Sequence, residues 1–388
     1  MSRPTLEVAD IVRRHGDEFV DRYRHQLSYQ QMKALNAIQR CRTAALGGHI
    51  DECSGCGHTA ISYNSCRNRH CPKCQAQARQ RWLAAREQEL LDTPYFHVVF
   101  TLPHSLAALC HTNGRVLYNL LFRASAQTML EVAADPKHLG AQIGILSILH
   151  TWGQNLTLHP HVHCIVPAGG FSPDHSTWIR SRYRFFLPVK VLGRVFRGKF
   201  VEGLKRAYRK GALRLVGVAE ELNEPQRFRA FVNALFLQDW VVYAKPAMGG
   251  PVQALRYLGR YTHRVAISNH RLLALDKDGV TFRWKDYARG NKQRRMTLTP
   301  IEFLRRFLQH VLPRAFVRIR HFGFLVNRSR GRMLELARRL LANSPKPREP
   351  CPASAQSWQC PRCGAPMKIG RNLPAWMLPS PCSFEDSS

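Results

Sequence analysis

Residues 158–166, Leu158-His159-Pro160-His161-Val162-His163-Cys164-Ile165-Val166, place histidines at alternate positions of an apolar, β-rich run. Successive side chains of a strand point to opposite faces, so the run predicts a strand with His161 and His163 on one face and Val162 and Cys164 on the other. Residues 142–151 read as a second buried strand, joined to the first by a polar turn around Gln154-Asn155. With strands and helices in mixed order around this pair, the expected fold class is α+β: an antiparallel-rich sheet with flanking helices, spanning about residues 93–326.

Two imidazoles on one strand face can hold a divalent cation. A third ligand must come from elsewhere, and in the register that sets residue 150 against 161, His150 projects from the same face. His159 shares the strand parity and competes for this role, although Pro160 can kink it away. Any single histidine in such a strand is more often packed than ligating; it is the pair, with two more histidines nearby, that points to a metal. Mg2+ or Mn2+ is the usual ion at phosphates, whereas imidazole also suits softer metals, so the ion stays open.

Cysteine usage points to a second kind of metal site. Cys53 and Cys56, then Cys71 and Cys74, form two knuckle pairs at a spacing where two loops can meet around one tetrahedral zinc. Cys66 and His70 lie between them as alternative ligands, giving six candidates for four places. A structural zinc would order the polar residues 49–75, including the basic Arg67 and Arg69, which have little core of their own. The expectation is a helical, zinc-binding DNA-binding module over residues 1–92. Near the other end, Cys360 and Cys363 form half of a possible second site, with Cys351 and Cys382 as candidate partners.

The segment 251–264, PVQALRYLGRYTHR, reads as a helix with Pro251 in its first turn. Tyr257 and Tyr261, four apart, then share a face, and Arg256, Arg260 and Arg264 form a stripe one position away. Lys245 lies close in sequence. Tyrosine is a weak nucleophile at its free pKa and needs such a cationic setting, while guanidinium forks suit phosphates. The plainer reading is a core-facing aromatic pair with solvated arginines.

Lys and Arg number 58 against 26 Asp and Glu, a net charge of +32, so the partner is a polyanion, nucleic acid above all. Between residues 178 and 214 there are twelve Lys or Arg interleaved with Tyr183, Phe185, Phe186, Phe196, Phe200 and Tyr208. That composition fits either a single-strand groove with stacking aromatics or a helix that buries its aromatics and solvates its cations. No apolar run approaches the roughly 18 residues of a membrane span, and the start lacks a signal-peptide stretch, so a cytoplasmic, nucleoid-associated protein is expected. Residues 345–388 hold nine prolines and read as a linker or loose appendage, part of a third region over 327–388.

Four motifs in order, CxxC…CRNRHCPKCQ (53–75), FTLPH (100–104), LHPHVH (158–163) and YLGRYTHRVAISNHR (257–271), closely resemble rolling-circle transposases of bacterial insertion sequences of the IS91 type. These belong to the HUH endonucleases, and His161-Val162-His163 matches their signature triplet. The resemblance implies a metal-dependent strand transferase and single-strand endonuclease with Tyr257 and Tyr261 as catalytic residues. It also implies 5′-phosphotyrosine intermediates, an N-terminal zinc module and single-stranded transposon ends and target DNA as partners. A replication initiator or relaxase of the same chemistry, and a non-catalytic zinc-dependent DNA-binding protein, are the competing readings.

Overall fold

The computed structural model describes residues 4–182, 186–246, 259, 266–286, 289–342 and 358–378. Tyr257, Tyr261, Arg256, Arg260 and Arg264 lie outside the described residues, as do Cys351 and Cys382. The fold is α+β with antiparallel sheets, and among the described residues no helix is long and apolar enough to cross a membrane.

The chain divides into two compact units, neither a single stretch of sequence. The first takes residues 1–81, 263–311 and 349–388; the second takes 82–262 and 312–348. This differs from the three consecutive blocks expected above. The hairpin Leu272–Asp276 and Gly279–Asp286 and the helix Pro300–Leu308 fall in the same unit as the N-terminal helices. Packing and capping explain this placement. The helix Val8–Tyr23 buries Ile11, Val12 and Phe19, its first amide Val8 N donates to Asn269 Oδ1 at 3.2 Å, and Gln31 Nε2 donates to Leu308 O at 3.1 Å. The helix Pro300–Leu308 starts where Thr299 Oγ1 accepts from Glu302 N, with Pro300 in its first turn.

Also in this first unit, the strands Gly48–Cys53 and Thr59–Tyr63 form a hairpin. The strand Met367–Leu373 pairs with the other edge of Gly48–Cys53. Residues 367–373 are therefore part of a sheet, which corrects the reading of the whole tail as a loose appendage.

The second unit is built on a five-stranded antiparallel sheet. Its order is Ile319–Gly323, Gly144–Trp152, Leu158–Pro167, Tyr95–Thr101, Val242–Pro246. Alternation gives the sheet two distinct faces. Phe96, Val98, Phe100, Val162, Cys164 and Val166 point into a core with the helices Gly114–Ala134 and Val189–Arg209. The opposite face carries the histidines, and a smaller cluster of Tyr95, Leu146, Ile148 and Ile165 covers part of it together with Trp82, Leu83 and Leu90.

The helix Val189–Arg209 settles one open alternative. Phe186, Phe196 and Phe200 are buried, and Tyr208 stacks on Phe228 with ring centroids 3.7 Å apart. These aromatics are core, not a stacking platform for bases, while Lys190, Arg194, Lys205, Arg206 and Lys210 face solvent.

Candidate metal centres

The strands Gly144–Trp152 and Leu158–Pro167 pair with His150 directly opposite His161. Their connection is closed by Gly153 N donating to Thr157 O and by Asn155 Oδ1 accepting from the Thr157 hydroxyl at 2.7 Å. The register expected from sequence is thus the one observed. It brings His150, His161 and His163 together, with one ring nitrogen of each within 4.8 Å of the others. His163 Nε2 lies 3.1 Å from His161 Nε2 and 3.1 Å from His150 Nδ1. His159 is exposed and is not part of this group.

Tautomers follow from the partners. His161 Nδ1–H donates to His159 O at 2.7 Å, which leaves Nε2 as a lone pair facing the cluster. Burial holds the rings neutral: it lowers His161 from 6.5 to about 4 and His163 well below its ordinary value, where His150 and His161 lower it further. Three imidazoles that converge, with no carboxylate in the group, fit a divalent cation that takes nitrogen ligands and keeps positions open for substrate. Because protons compete only below the depressed pKa, Mn2+ affinity at this site should be nearly flat from pH 8 to about pH 5.5. It should fall as the pH approaches 4. A calorimetric titration series that instead breaks near 6.5 would show imidazoles of ordinary basicity.

His97 is a neighbour of this cluster that sequence reasoning missed. Its strand pairs with the histidine strand, and His97 Nε2 sits 2.8 Å from His163 Nδ1, the rings stacked at 5.0 Å. Burial, then the charge of Lys245, lowers His97 to about 4, so it stays neutral and can accept from His163 Nδ1–H. That contact fixes the His163 ring with Nε2 toward the cluster, as outer-shell partners of metal ligands do. His97→Ala should weaken metal binding about 10- to 100-fold with little change in the unfolding midpoint. A Co2+ titration with unchanged affinity would remove this role. Lys245 is exposed and directly opposite His97 in register, on the face of the sheet that bears the histidines.

Gly259, the described residue of the tyrosine segment, is helical and buried. A Cβ built there would lie 2.6 Å from Leu83 Cδ1. Leu83 packs against Leu146, Ile148 and Ile165, on the histidine face of the sheet.

The cysteines group differently from the expected set. Cys71 and Cys74 meet Cys41 and Cys66, with Cys41 Sγ and Cys66 Sγ each 3.5 Å from Cys74 Sγ. Cys53 and Cys56 are not with them; they meet Cys360 and Cys363. The hairpin explains the separation. Asn64 N donates to Gly47 O and Arg42 N to Asn64 O at its base, near Cys41 and Cys66, whereas Cys53 and Cys56 stand at its tip. Six residues of strand hold base and tip about 17 Å apart. Cys41 was missed because it stands outside any knuckle. Cys66, an alternative ligand in sequence, is a member, and His70 is not: its backbone N donates to Asn68 Oδ1, and its ring Nε2 accepts from Arg69 Nε at 3.3 Å.

A tetrahedral zinc with bonds of about 2.3 Å sets its sulfurs about 3.8 Å apart, close to the spacing here. Without a cation the four thiols cannot all ionise: hydrogen bonding with Cys41 drives Cys74 down and Cys71 up. The Cys41, Cys66, Cys71 and Cys74 set therefore suits structural zinc. Arg67 is exposed on the loop between its ligands, and Arg69 is half-buried there.

Comparison with known proteins accords with a zinc-binding N-terminal region. Residues 11–102 match the family described as “Transposase zinc-binding domain”, and residues 144–332 match the family described as “Putative transposase”. A Sinorhizobium fredii protein named “Putative transposase y4qJ” is 54% identical over 351 residues, covering 90% of this chain and 88% of that relative. A Pseudomonas savastanoi pv. phaseolicola protein named “Transposase for insertion sequence element IS801” is 30% identical over 316 residues, 78% of this chain and 72% of that relative. No solved structure matches. The chain belongs to the IS91-type transposases with an N-terminal zinc-binding domain. It is an enzyme that acts on DNA, which decides against a non-catalytic zinc-dependent DNA-binding protein.

Proposed function

We propose that this transposase nicks and joins single-stranded DNA through 5′-phosphotyrosine links during rolling-circle transposition. The phenolate oxygen of Tyr257 or Tyr261 attacks the scissile phosphorus, and the bond to the 3′ oxygen breaks. The leaving oxygen takes up a proton and becomes a free 3′ hydroxyl, while the 5′ phosphate stays on tyrosine. In joining, a 3′ hydroxyl attacks the same phosphorus and the phenol departs. Each exchange replaces one phosphoester by another, so no external energy source is required. The second tyrosine allows one strand end to be held while another is cut.

The observation that carries this reading is the convergence of His150, His161 and His163 on a sheet face where Gly259 also packs through Leu83. A divalent ion such as Mg2+ or Mn2+ held there would supply Lewis-acid polarisation of a phosphate oxygen. Lys245, on the same face, and Arg256, Arg260 and Arg264, beside the tyrosines in sequence, hold the flanking phosphates. Arg67 and Arg69 grip DNA from the zinc module.

The test uses labelled DNA from the ends of the element that carries this chain, incubated with the protein and Mn2+ or Mg2+. The reading expects cleavage of single-stranded ends to give a 3′ end that a polymerase extends and a 5′ end that phosphatase and kinase cannot reach. Products with free 5′ phosphates, or equal cutting of duplex DNA, contradict it.

A further inference from the structure

Cys53, Cys56, Cys360 and Cys363 straddle the ends of the chain, and the latter two lie outside both family matches. Their sulfurs all fall within 4.8 Å of one another, with Cys53 to Cys363 at 3.4 Å and Cys56 to Cys360 at 3.7 Å. A disulfide would need about 2.05 Å and would use the thiols in pairs, whereas here each is near all the others.

The same turn is built twice. Both pairs read Cys-x-x-Cys-Gly, and the glycines, Gly57 at φ 68° and Gly364 at φ 75°, are left-handed. In each the first cysteine sulfur accepts backbone amides from the turn: Gly55 N at 3.3 Å and Cys56 N at 3.4 Å to Cys53, and Arg362 N at 3.4 Å to Cys360. Amides aimed at a sulfur favour its thiolate form, the form that binds metal. The two loops also interlock, since a Cβ at Gly55 would lie 2.9 Å from the Ala365 Cβ.

Among the described residues, the C-terminal strand buries little apolar surface of its own. Lys368, Ile369, Gly370, Arg371 and Asn372 are all exposed, so the strand buries almost no core. What joins it to Gly48–Cys53 is a backbone ladder, Ser54 N donating to Pro366 O, and the cysteine group. Small sheets of this kind need a staple.

We propose that these four cysteines form a second structural zinc site, one that clamps the C-terminal segment onto the N-terminal sheet across 310 residues of chain. Four thiolates with no other ligand type suit zinc in a closed tetrahedral shell, a structural site and not a catalytic one.

Zinc content of the full-length protein tests this, measured by elemental analysis after gel filtration for the wild type, Cys53→Ser/Cys56→Ser, Cys360→Ser/Cys363→Ser and the quadruple variant. Each double variant should hold one zinc less than the wild type, and the quadruple should also hold one less, because both pairs serve one ion. Wild-type zinc content in Cys360→Ser/Cys363→Ser overturns the proposal, and so does a quadruple that loses two. Should the variants fail to fold, zinc-edge X-ray absorption on the wild type decides: two all-sulfur zinc ions per chain are expected, and a single one overturns the clamp.

Discussion

Replacing His163 with alanine should lower metal-dependent DNA cleavage by about a thousandfold, while the protein remains folded. Its Nε2 is 3.1 Å from a nitrogen of each of the other two histidines, so it is the shared neighbour of the group. The variant removes that ligand and also leaves His97 without the ring it braces. Lewis-acid assistance at a phosphate is worth several kcal/mol, and about 4 kcal/mol corresponds to roughly a thousandfold in rate. The neighbouring Val162 gives the contrast. It points to the helix-packed face, so Val162→Ala should cost stability, on the order of 1–3 kcal/mol, and leave metal affinity unchanged. Cleavage rates at saturating Mn2+ together with thermal unfolding of both variants separate the two effects. A His163→Ala protein that cuts at near the wild-type rate would remove the histidine group from the chemistry.

Cys71→Ser should abolish the cooperative folding of the N-terminal residues and the zinc they hold. Cys71 is 1% exposed and within reach of three other sulfurs. Apparent zinc binding in small modules is worth about 10–16 kcal/mol, comparable to the whole stability of a domain at about 5–15 kcal/mol. Loss of a ligand there should therefore release zinc and open residues 40–75 to protease. His70→Ala is the control, because His70 is not in the group; it should keep the zinc. Retention of zinc and a sharp unfolding transition in Cys71→Ser, or loss of zinc in His70→Ala, would contradict this ligand set.

The histidine cluster is legible in the sequence because it is local. Alternation along residues 158–166 placed His161 and His163 together, and a short polar turn made the 150–161 register easy to propose. His97 was not legible: it is 66 residues away in sequence from His163 and reaches it only through the pairing of two strands. The cysteines failed for a related reason. Spacing favours the nearest knuckle, yet the hairpin between Cys41 and Cys66 carries Cys53 and Cys56 away from Cys71 and Cys74. Their actual neighbours follow three hundred residues later, beyond the reach of any spacing rule. The basic stretch at 178–214 was ambiguous because burying Phe196 and Phe200 and offering them to bases need the same residues; only the packing of the helix decides.

Covalent transfer through tyrosine leaves a protein–DNA adduct that can be read directly. The purified protein is incubated with Mn2+ and labelled single-stranded DNA from its element's ends, and covalent adducts are resolved on a denaturing gel. Tyr257→Phe, Tyr261→Phe, the double variant and His161→Ala are run beside the wild type. An adduct that requires metal and His161, persists in at least one single tyrosine variant and vanishes in the double is the predicted result. An adduct that survives in the double variant, or its absence from the wild type while DNA is still cut, would contradict the account.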